Sequence, residues 1–415
     1  MKLPNRLSRR SVLKTGSALV AGVVTSNINE SHANSTVTGD TTKTVGSLPS
    51  ELGERSAFEK IARDVAIRAP SGISNTPLEK LEGLITPSDL HFERHHAGIP
   101  RINPEDYKLL IHGLVKQPLK FSLEDLKRFP AESRLCFLEC SGNGYRTNLD
   151  RDQIPSNIRV SEIDGLFSVS EWTGVRLSTL FKEVGAKDSA RWFLAEGQDA
   201  AVMTRSVPMY KAWDDAMLVY AQNGEALRPG QGYPVRLLLP GWEGNMSVKW
   251  LRRIELSDTP FMTREETSKY SDAMDDGKVK QFSFTMGPKS LITYPTYPAV
   301  LQGKGWREIQ GLAWSGNGKI KEVQISTDGG ARWHSASLQE PLLSKCAVRF
   351  RYMWDWDGKP TTLMSRTIDE TGAQQPSFQE ARAGRGPGTF YHNNVIRPWH
   401  IDGGGQLTFA LANYL

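Results

Sequence analysis

Cys140 closes the apolar run Leu135-Cys136-Phe137-Leu138-Glu139 and is followed at once by Ser141-Gly142-Asn143-Gly144. A strand-like segment that ends in a thiol and then turns on small residues sets a sulfur at the rim of a sheet, beside backbone flexible enough to approach a large ligand. The chain has three cysteines, too few for a disulfide framework, although an oxidising compartment would permit a bridge. Four polar clusters stand where a core would not need them. The first is Phe92-Glu93-Arg94-His95-His96, and the second is Cys140 with Asn143 and Arg146. The third is Asp199 with Arg236 and Lys249, and the fourth is Tyr270 with Arg397. Thiolates favour soft or high-valent metals. A nearby positive field keeps a thiol ionised, and arginine binds phosphate or a tetrahedral oxyanion through paired hydrogen bonds. The pattern points to a thiolate-bound metal beside a phosphorylated or otherwise anionic ligand. Two other readings stand at this point. His91, His95, His96, Cys136 and Cys140 are legitimate zinc ligands, though the cysteines lack C-x2-C spacing. Cys140 with a histidine base would make a nucleophile, without a local signature to support it.

These side chains need a scaffold, and the patterning supplies one from Asp106 onward. Tyr107–Val115 reads as a strand. Ser122–Phe129 reads as a short helix with Ser122 as N-cap and an acidic first turn. Leu135–Cys140 is the next strand, and Leu177–Val184 a helix stopped by Gly185. Strands are expected at Arg191–Ala195, Met217–Ala221, Val235–Leu239 and Val248–Leu256, which makes a mixed α+β domain. A segment rich in charge, proline and threonine reads as a linker. Beyond it the pattern is strand and turn, at Ile309–Trp314, Glu322–Ser326, Arg332–Ser337, Ala347–Asp355 and Thr361–Asp369. Thr327-Asp328-Gly329-Gly330 is a hairpin turn, and this spacing suggests an immunoglobulin-like sandwich. Upstream, a helical patch is expected over Ala57–Ile67.

The N-terminus reads as an address. Ser8-Arg9-Arg10-Ser11-Val12-Leu13-Lys14 is a twin-arginine pattern, followed by an apolar run from Ala18 to Val24 and a small-residue cleavage site at Ser31-His32-Ala33. That run is too short to span a bilayer, and no other segment is long and apolar enough, so no membrane span is expected. The leader implies export of the folded protein to the periplasm. It also carries four of the five net positive charges, which leaves about one on the remainder and removes bulk basicity as an argument for nucleic acid. The expected organisation is a leader over 1–33, an extension over 34–85, a cofactor domain over 86–260, a linker over 261–298 and a sandwich over 299–415.

The motifs, taken in order, resemble the sulfite oxidase family of molybdenum cofactor enzymes over roughly residues 85–415. Cys140-Ser141-Gly142-Asn143 is similar to that family's metal-ligand signature, and Phe92-Glu93-Arg94-His95-His96 to its upstream cofactor motif. Glu196-Gly197-Gln198-Asp199, Gly232–Gly241 and Ser247-Val248-Lys249-Trp250-Leu251 follow the family pattern. His91–Gly98, Pro240–Asn245, Thr263–Tyr270 and Tyr391–Asn394 resemble its Sox sulfite/sulfane dehydrogenase branch.

The resemblance implies a molybdenum held by one pyranopterin dithiolene (molybdopterin) and by the Cys140 thiolate. It implies cofactor contacts from Phe92, Arg94, His96, Asp199, Gln231, Arg236, Ser247, Val248 and Lys249, with Gln231 and Ser247 standing where some members have histidine. Tyr270, Arg94, Arg146 and Arg397 are implied at the substrate. Arg146 lies one residue later than the family's arginine, whose place Tyr145 takes. The tryptophan that narrows the sulfite oxidase pocket is replaced by Phe167-Ser168, which implies a wider pocket. Cys136 is assigned to the core. The implied function is oxidation of carrier-bound sulfane sulfur or of sulfite, with electrons passed to a c-type cytochrome, in a homodimer joined by the second domain. The sequence has no C-x-x-C-H, so no haem is expected in this chain. The alternatives are a dehydrogenase of free sulfite that needs no carrier protein, and a non-enzymatic metal-binding module.

Overall fold

The structure is a computed structural model that describes residues 45–386 and 391–414. The expected leader lies outside them. The chain divides into two compact units, up to Glu59 and from Lys60 onward. Residues 45–59 form no helix or strand. Among the described residues, no helix is long and apolar enough to cross a membrane.

The second unit contains both expected domains. The first domain is built on two five-stranded sheets. One runs through Glu225–Ala226, Met217–Gln222, Phe167–Arg176 and Ala131–Glu139, with Arg236–Leu238 pairing to Met217–Gln222. The other runs through Leu119–Phe121, Leu109–Gly113, Leu251–Ser257, Trp192–Gly197 and Thr204–Pro208. Ala131–Glu139 alternates exposed and half-buried positions at first, then buries Cys136 through Glu139 in succession. That change marks a strand passing from an exposed flank into a two-sided core. The helix Leu123–Lys127 starts on the Ser122 capping box, in which Ser122 and Asp125 satisfy each other's backbone N–H groups.

The sandwich packs a four-stranded sheet, containing Lys289–Tyr294, Gly305–Trp314 and Val348–Trp356, on a five-stranded one containing Ile320–Ser326 and Thr361–Asp369. One apolar core, which includes Leu291, Ile309, Val323, Phe350 and Trp399, fills the space between them.

Three expectations are corrected here. Residues Asp64–Arg68 form a strand, not the end of a helix, and pair with Ser71–Asn75, which pairs in turn with Glu93–His95. Cross-strand hydrogen bonding prevails there over a weak helical pattern. Lys289–Tyr294, placed in the linker by the sequence, is a buried strand of the sandwich. The strand expected from Val248 begins at Leu251, because Trp250 takes a left-handed φ of 52°.

The domains meet on a buried ionic cluster immediately around Cys140. Glu139 accepts hydrogen bonds from Lys289 Nζ at 2.9 Å, Asn143 Nδ2 at 3.0 Å and Trp314 Nε1 at 2.7 Å. Lys289 also donates to Asp164 at 2.7 Å, and Arg397 holds Asp164 through Nε and Nη2 at 2.8 and 2.9 Å. These four charged side chains are at most 1% exposed. Burial opposes the Asp164 carboxylate, yet Arg397 and Lys289 hold it below the usual range. Gly144 completes the fit. Its φ is +82°, and a Cβ there would lie 2.5 Å from Arg397 Nη2.

Removing one partner of such a cluster strands a buried charge. Lys289→Ala is expected to lower unfolding free energy by about 3–5 kcal/mol, read by urea denaturation; a loss below about 1 kcal/mol, the scale of a surface pair, would contradict this account.

Candidate active site

Cys140 follows the strand Ala131–Glu139 and lies at the floor of a cavity in the first domain. Two backbone hydrogen bonds pin its turn: Cys140 N–H to Leu166 O at 3.0 Å and Asn143 N–H to Cys140 O at 2.9 Å. Asn143 is itself tied to Glu139, to Asp164 O and to Leu166 N–H. Burial pushes the Cys140 thiol up, while the Gly142 N–H and the Arg94 charge pull the other way. A bound cation would complete what Arg94 begins.

Phe92, Arg94 and His96 enter the cavity from the segment around the short strand Glu93–His95. Arg236 enters from the start of the strand Arg236–Leu238, Gln231, Ser247, Val248 and Lys249 from the segments on either side of it, and Asp199 from the turn after Trp192–Gly197. Gln231 donates to Phe92 O at 2.8 Å, which ties two of these walls together. Gly232, with a φ of +106°, lets the backbone turn between the side chains of Arg236 and Lys249, whose Cβ atoms would lie 3.0 and 3.1 Å from a Cβ at that position.

The electrostatics are unusual for a folded interior. Arg236 is buried, and burial pushes its guanidinium down to about 9. It donates to the carbonyls of Gln231 and Ser247, and its Nε has no partner. Lys249 Nζ donates to Arg94 O, Gly230 O and His95 Nδ1, and burial together with Arg236 holds its ammonium well below its ordinary value. Neither cation forms an ion pair with a carboxylate among the described residues. His96 is pushed down to about 4 by burial and Arg94, so it is neutral at physiological pH. Cations withdrawn from water without a counter-charge are costly, and this pair, Arg236 buried and Lys249 half-buried, is arranged to receive an anionic group.

Above Cys140 the cavity opens into a funnel of about 770 Å³. Arg94, Arg146, Tyr270 and Met203 line it, together with Lys269 and the ion pair of Arg264 with Glu265, the one acid among its lining residues. Arg146 Nε is buried without a hydrogen-bond partner. The hairpin Asp64–Asn75 contributes Ala66, Ser71 and Ile73 to the wall. Phe167, at the position implied for a narrowing tryptophan, instead stacks on Trp314 in the core at 3.9 Å between ring centroids.

Arg397 is the one expected site residue that the structure does not bring to the cavity. Both edges of its guanidinium are committed to Asp164, Asn393 and Val395. Cys136 is buried in the core, as expected, and Cys346 is likewise buried. The expected cofactor and substrate contacts did not include His95, Asn245, Trp250 and Tyr391, which line the cavity or funnel although each lies in a motif quoted above. His95 is held by Glu93 at 2.9 Å and faces Lys249 at 2.8 Å. Its place beside His96 in the upstream motif was the available signal. Among the described residues, no group of three or more His, Cys, Asp or Glu side chains could hold a metal ion. The zinc reading therefore has no ligand set, whereas a metal whose other ligands arrive with an anionic organic cofactor needs only Cys140.

Comparison with known proteins agrees with this geometry. Residues 96–265 match the oxidoreductase molybdopterin binding domain family, and residues 280–398 the Mo-co oxidoreductase dimerisation domain family. The solved structure of the sulfane dehydrogenase SoxCD from Paracoccus pantotrophus superposes with a TM-score of 0.81 at 42% identity, over 87% of this chain and 96% of that one. Mitochondrial sulfite oxidase of Mus musculus is 28% identical over 330 residues, and the NADH nitrate reductase of Ulva prolifera 32% identical over 305. The matched regions cover 71% and 66% of this chain, but only 58% and 34% of those proteins. The fold and site define a molybdopterin-dependent oxidoreductase. The chain belongs to the sulfite oxidase family of these enzymes.

The buried cations and the single thiol generate a direct prediction. Protein carrying Cys140→Ser is expected to retain less than about a tenth of the wild-type molybdenum, as thiolate is the ligand form, whereas Cys136→Ala retains near-wild-type metal. Elemental analysis of the purified variants checks this, and equal metal in Cys140→Ser and wild type would contradict it.

Proposed function

We propose that this chain is the molybdenum subunit of a periplasmic sulfane dehydrogenase, acting on sulfur carried on a cysteine of a carrier protein and passing electrons to a c-type cytochrome. The observation that carries this reading is the broad, basic funnel over Cys140, in a chain that matches nearly the full length of the sulfane dehydrogenase SoxCD. A site for free sulfite alone has no need of so wide an approach. The relationship to mouse sulfite oxidase keeps free sulfite as the second reading.

Bound molybdopterin would supply two-electron oxygen-atom transfer chemistry at the metal. The protein's part follows from its residues. Cys140 gives a thiolate ligand from a turn that cannot shift without breaking the Glu139 and Asn143 contacts. Arg236 and Lys249 would hold the cofactor's anionic end, and Asp199, Gln231, Ser247, Val248, His96 and Phe92, which line the same cavity, would shape its bed. Arg94 and Arg146 face the funnel, where their donors would meet the anionic oxygens of the sulfur group. The Tyr270 hydroxyl stays protonated, because burial and the neighbouring Cys140 raise its pKa, and it serves as a hydrogen-bond donor toward the reacting centre. The sandwich domain is read as the homodimer contact, in line with its dimerisation-domain family.

Turnover with cytochrome c as acceptor is expected to require the sulfur-loaded carrier protein, with kcat/KM for free sulfite lower by at least about a hundredfold. That margin is within what a specific binding surface supplies, on the order of 2–3 kcal/mol. Equal or faster turnover of free sulfite without a carrier would overturn the sulfane reading and favour the second one.

A further inference from the structure

We propose that Arg205 is a positioning residue that locks Tyr270 and the turn after Cys140 into a common frame. The inference rests on the reading of the Cys140–Tyr270 cavity as the reaction centre. Arg205 lies on the strand Thr204–Pro208 and is 1% exposed. It does not line the cavity, and its guanidinium is used on three sides. Nε and Nη2 grip the two oxygens of Glu266 at 2.8 and 3.0 Å. Nη1 donates to Asn245 Oδ1. Its central carbon, Cζ, lies over the Tyr270 ring, 4.5 Å from the centroid.

Each contact has a consequence for the site. Tyr270 follows the five-residue helix Arg264–Ser268 and belongs to no strand. Its backbone is held by a hydrogen bond to Glu265 O at 2.9 Å, and its ring otherwise meets Tyr391 at 5.2 Å. The Arg205 cation over the ring, 4.5 Å from its centroid, restrains the ring plane and with it the direction of the hydroxyl. Asn245 has two ends. By taking Oδ1, Arg205 obliges the amide to present Nδ2 to Ser141 Oγ at 2.7 Å and to Glu243 at 2.8 Å. Ser141 is the residue after Cys140. One guanidinium thus sets the tyrosine hydroxyl and the thiol turn with respect to each other. Glu266 anchors the hub, since its carboxylate also accepts the Ser206 N–H at 2.9 Å and its carbonyl accepts Gln281 Nε2.

A buried ion pair is weak evidence of stabilisation, because apolar replacement of both partners is often neutral or favourable. That property separates a positioning role from a structural one. Arg205→Lys keeps the charge but loses the fork and the planar stack. The double variant Arg205→Met/Glu266→Leu removes both charges and keeps the volume. Two readouts are taken beside the thermal midpoint. One is kcat and KM of the holoenzyme with the donor that supports wild-type turnover. The other is the rate at which iodoacetamide modifies Cys140 in cofactor-free protein, where Cys136 and Cys346 are buried internal controls.

The double variant is expected to keep a thermal midpoint near wild type, with kcat down by about tenfold to a hundredfold, the cost of a misplacement near 1 Å, and KM within about twofold. Cys140 modification is expected to change by about threefold or more. Recovery of kcat together with the midpoint, or an unchanged modification rate, would overturn the proposal. If the double variant does not fold, Arg205→Lys decides on the same two readouts. The modification assay is independent of substrate, so a failure of this proposal is distinguishable from a failure of the sulfane reading.

Discussion

Two carboxylates and two cations, withdrawn from solvent, meet where the cofactor domain joins the sandwich. Glu139 and Asp164 come from the first domain, Lys289 and Arg397 from the second. Each charge is costly to bury alone and is balanced only by the others. Glu139 immediately precedes Cys140, and Asn143, bound to the same carboxylate, follows three residues after it. The position of the thiol is therefore set by contacts from both domains. The sandwich, whatever it does between copies of the chain, also braces the wall of the reaction cavity.

The cavity repeats the theme with the sign left unbalanced. Arg236 is buried and Lys249 half-buried, neither paired with a carboxylate among the described residues; backbone carbonyls orient them but do not neutralise them. On the proposed reading, an anionic cofactor would supply the missing charge. On that reading a single cysteine would suffice beside the organic ligand's own donors, with the protein holding that ligand through charge. Above this lies a funnel of about 770 Å³ lined by Arg94, Arg146, Arg264 and Lys269.

Much of the site was legible because its chemistry is concentrated in short, ordered motifs. Cys140-Ser141-Gly142-Asn143, Phe92–His96 and Ser247–Leu251 each carry their functional residues within a few positions, and the fold brings them to one cavity. Arg397 was misread for a physical reason. Its partner Asp164 is 233 residues away in sequence, so nothing local distinguishes a charge that meets substrate from one that meets a buried carboxylate. Lys289 was hidden in a segment whose charge, proline and threonine content resembles a linker. Arg205 and Glu266 each look like surface residues in isolation. The strand that carries Arg205, Thr204-Arg205-Ser206-Val207-Pro208, is itself largely polar, so no local pattern marks the arginine as buried. The hairpin Asp64–Asn75 was missed because its pairing depends on Glu93–His95, which only the tertiary fold supplies.

The central claim is that Cys140 binds the metal as a thiolate within a site otherwise completed by the cofactor. X-ray absorption at the molybdenum edge of the intact holoenzyme tests it most directly. The account predicts one cysteinyl sulfur beside the dithiolene pair and no histidine nitrogen. A coordination sphere containing imidazole, or one with sulfur only from the dithiolene, would contradict it.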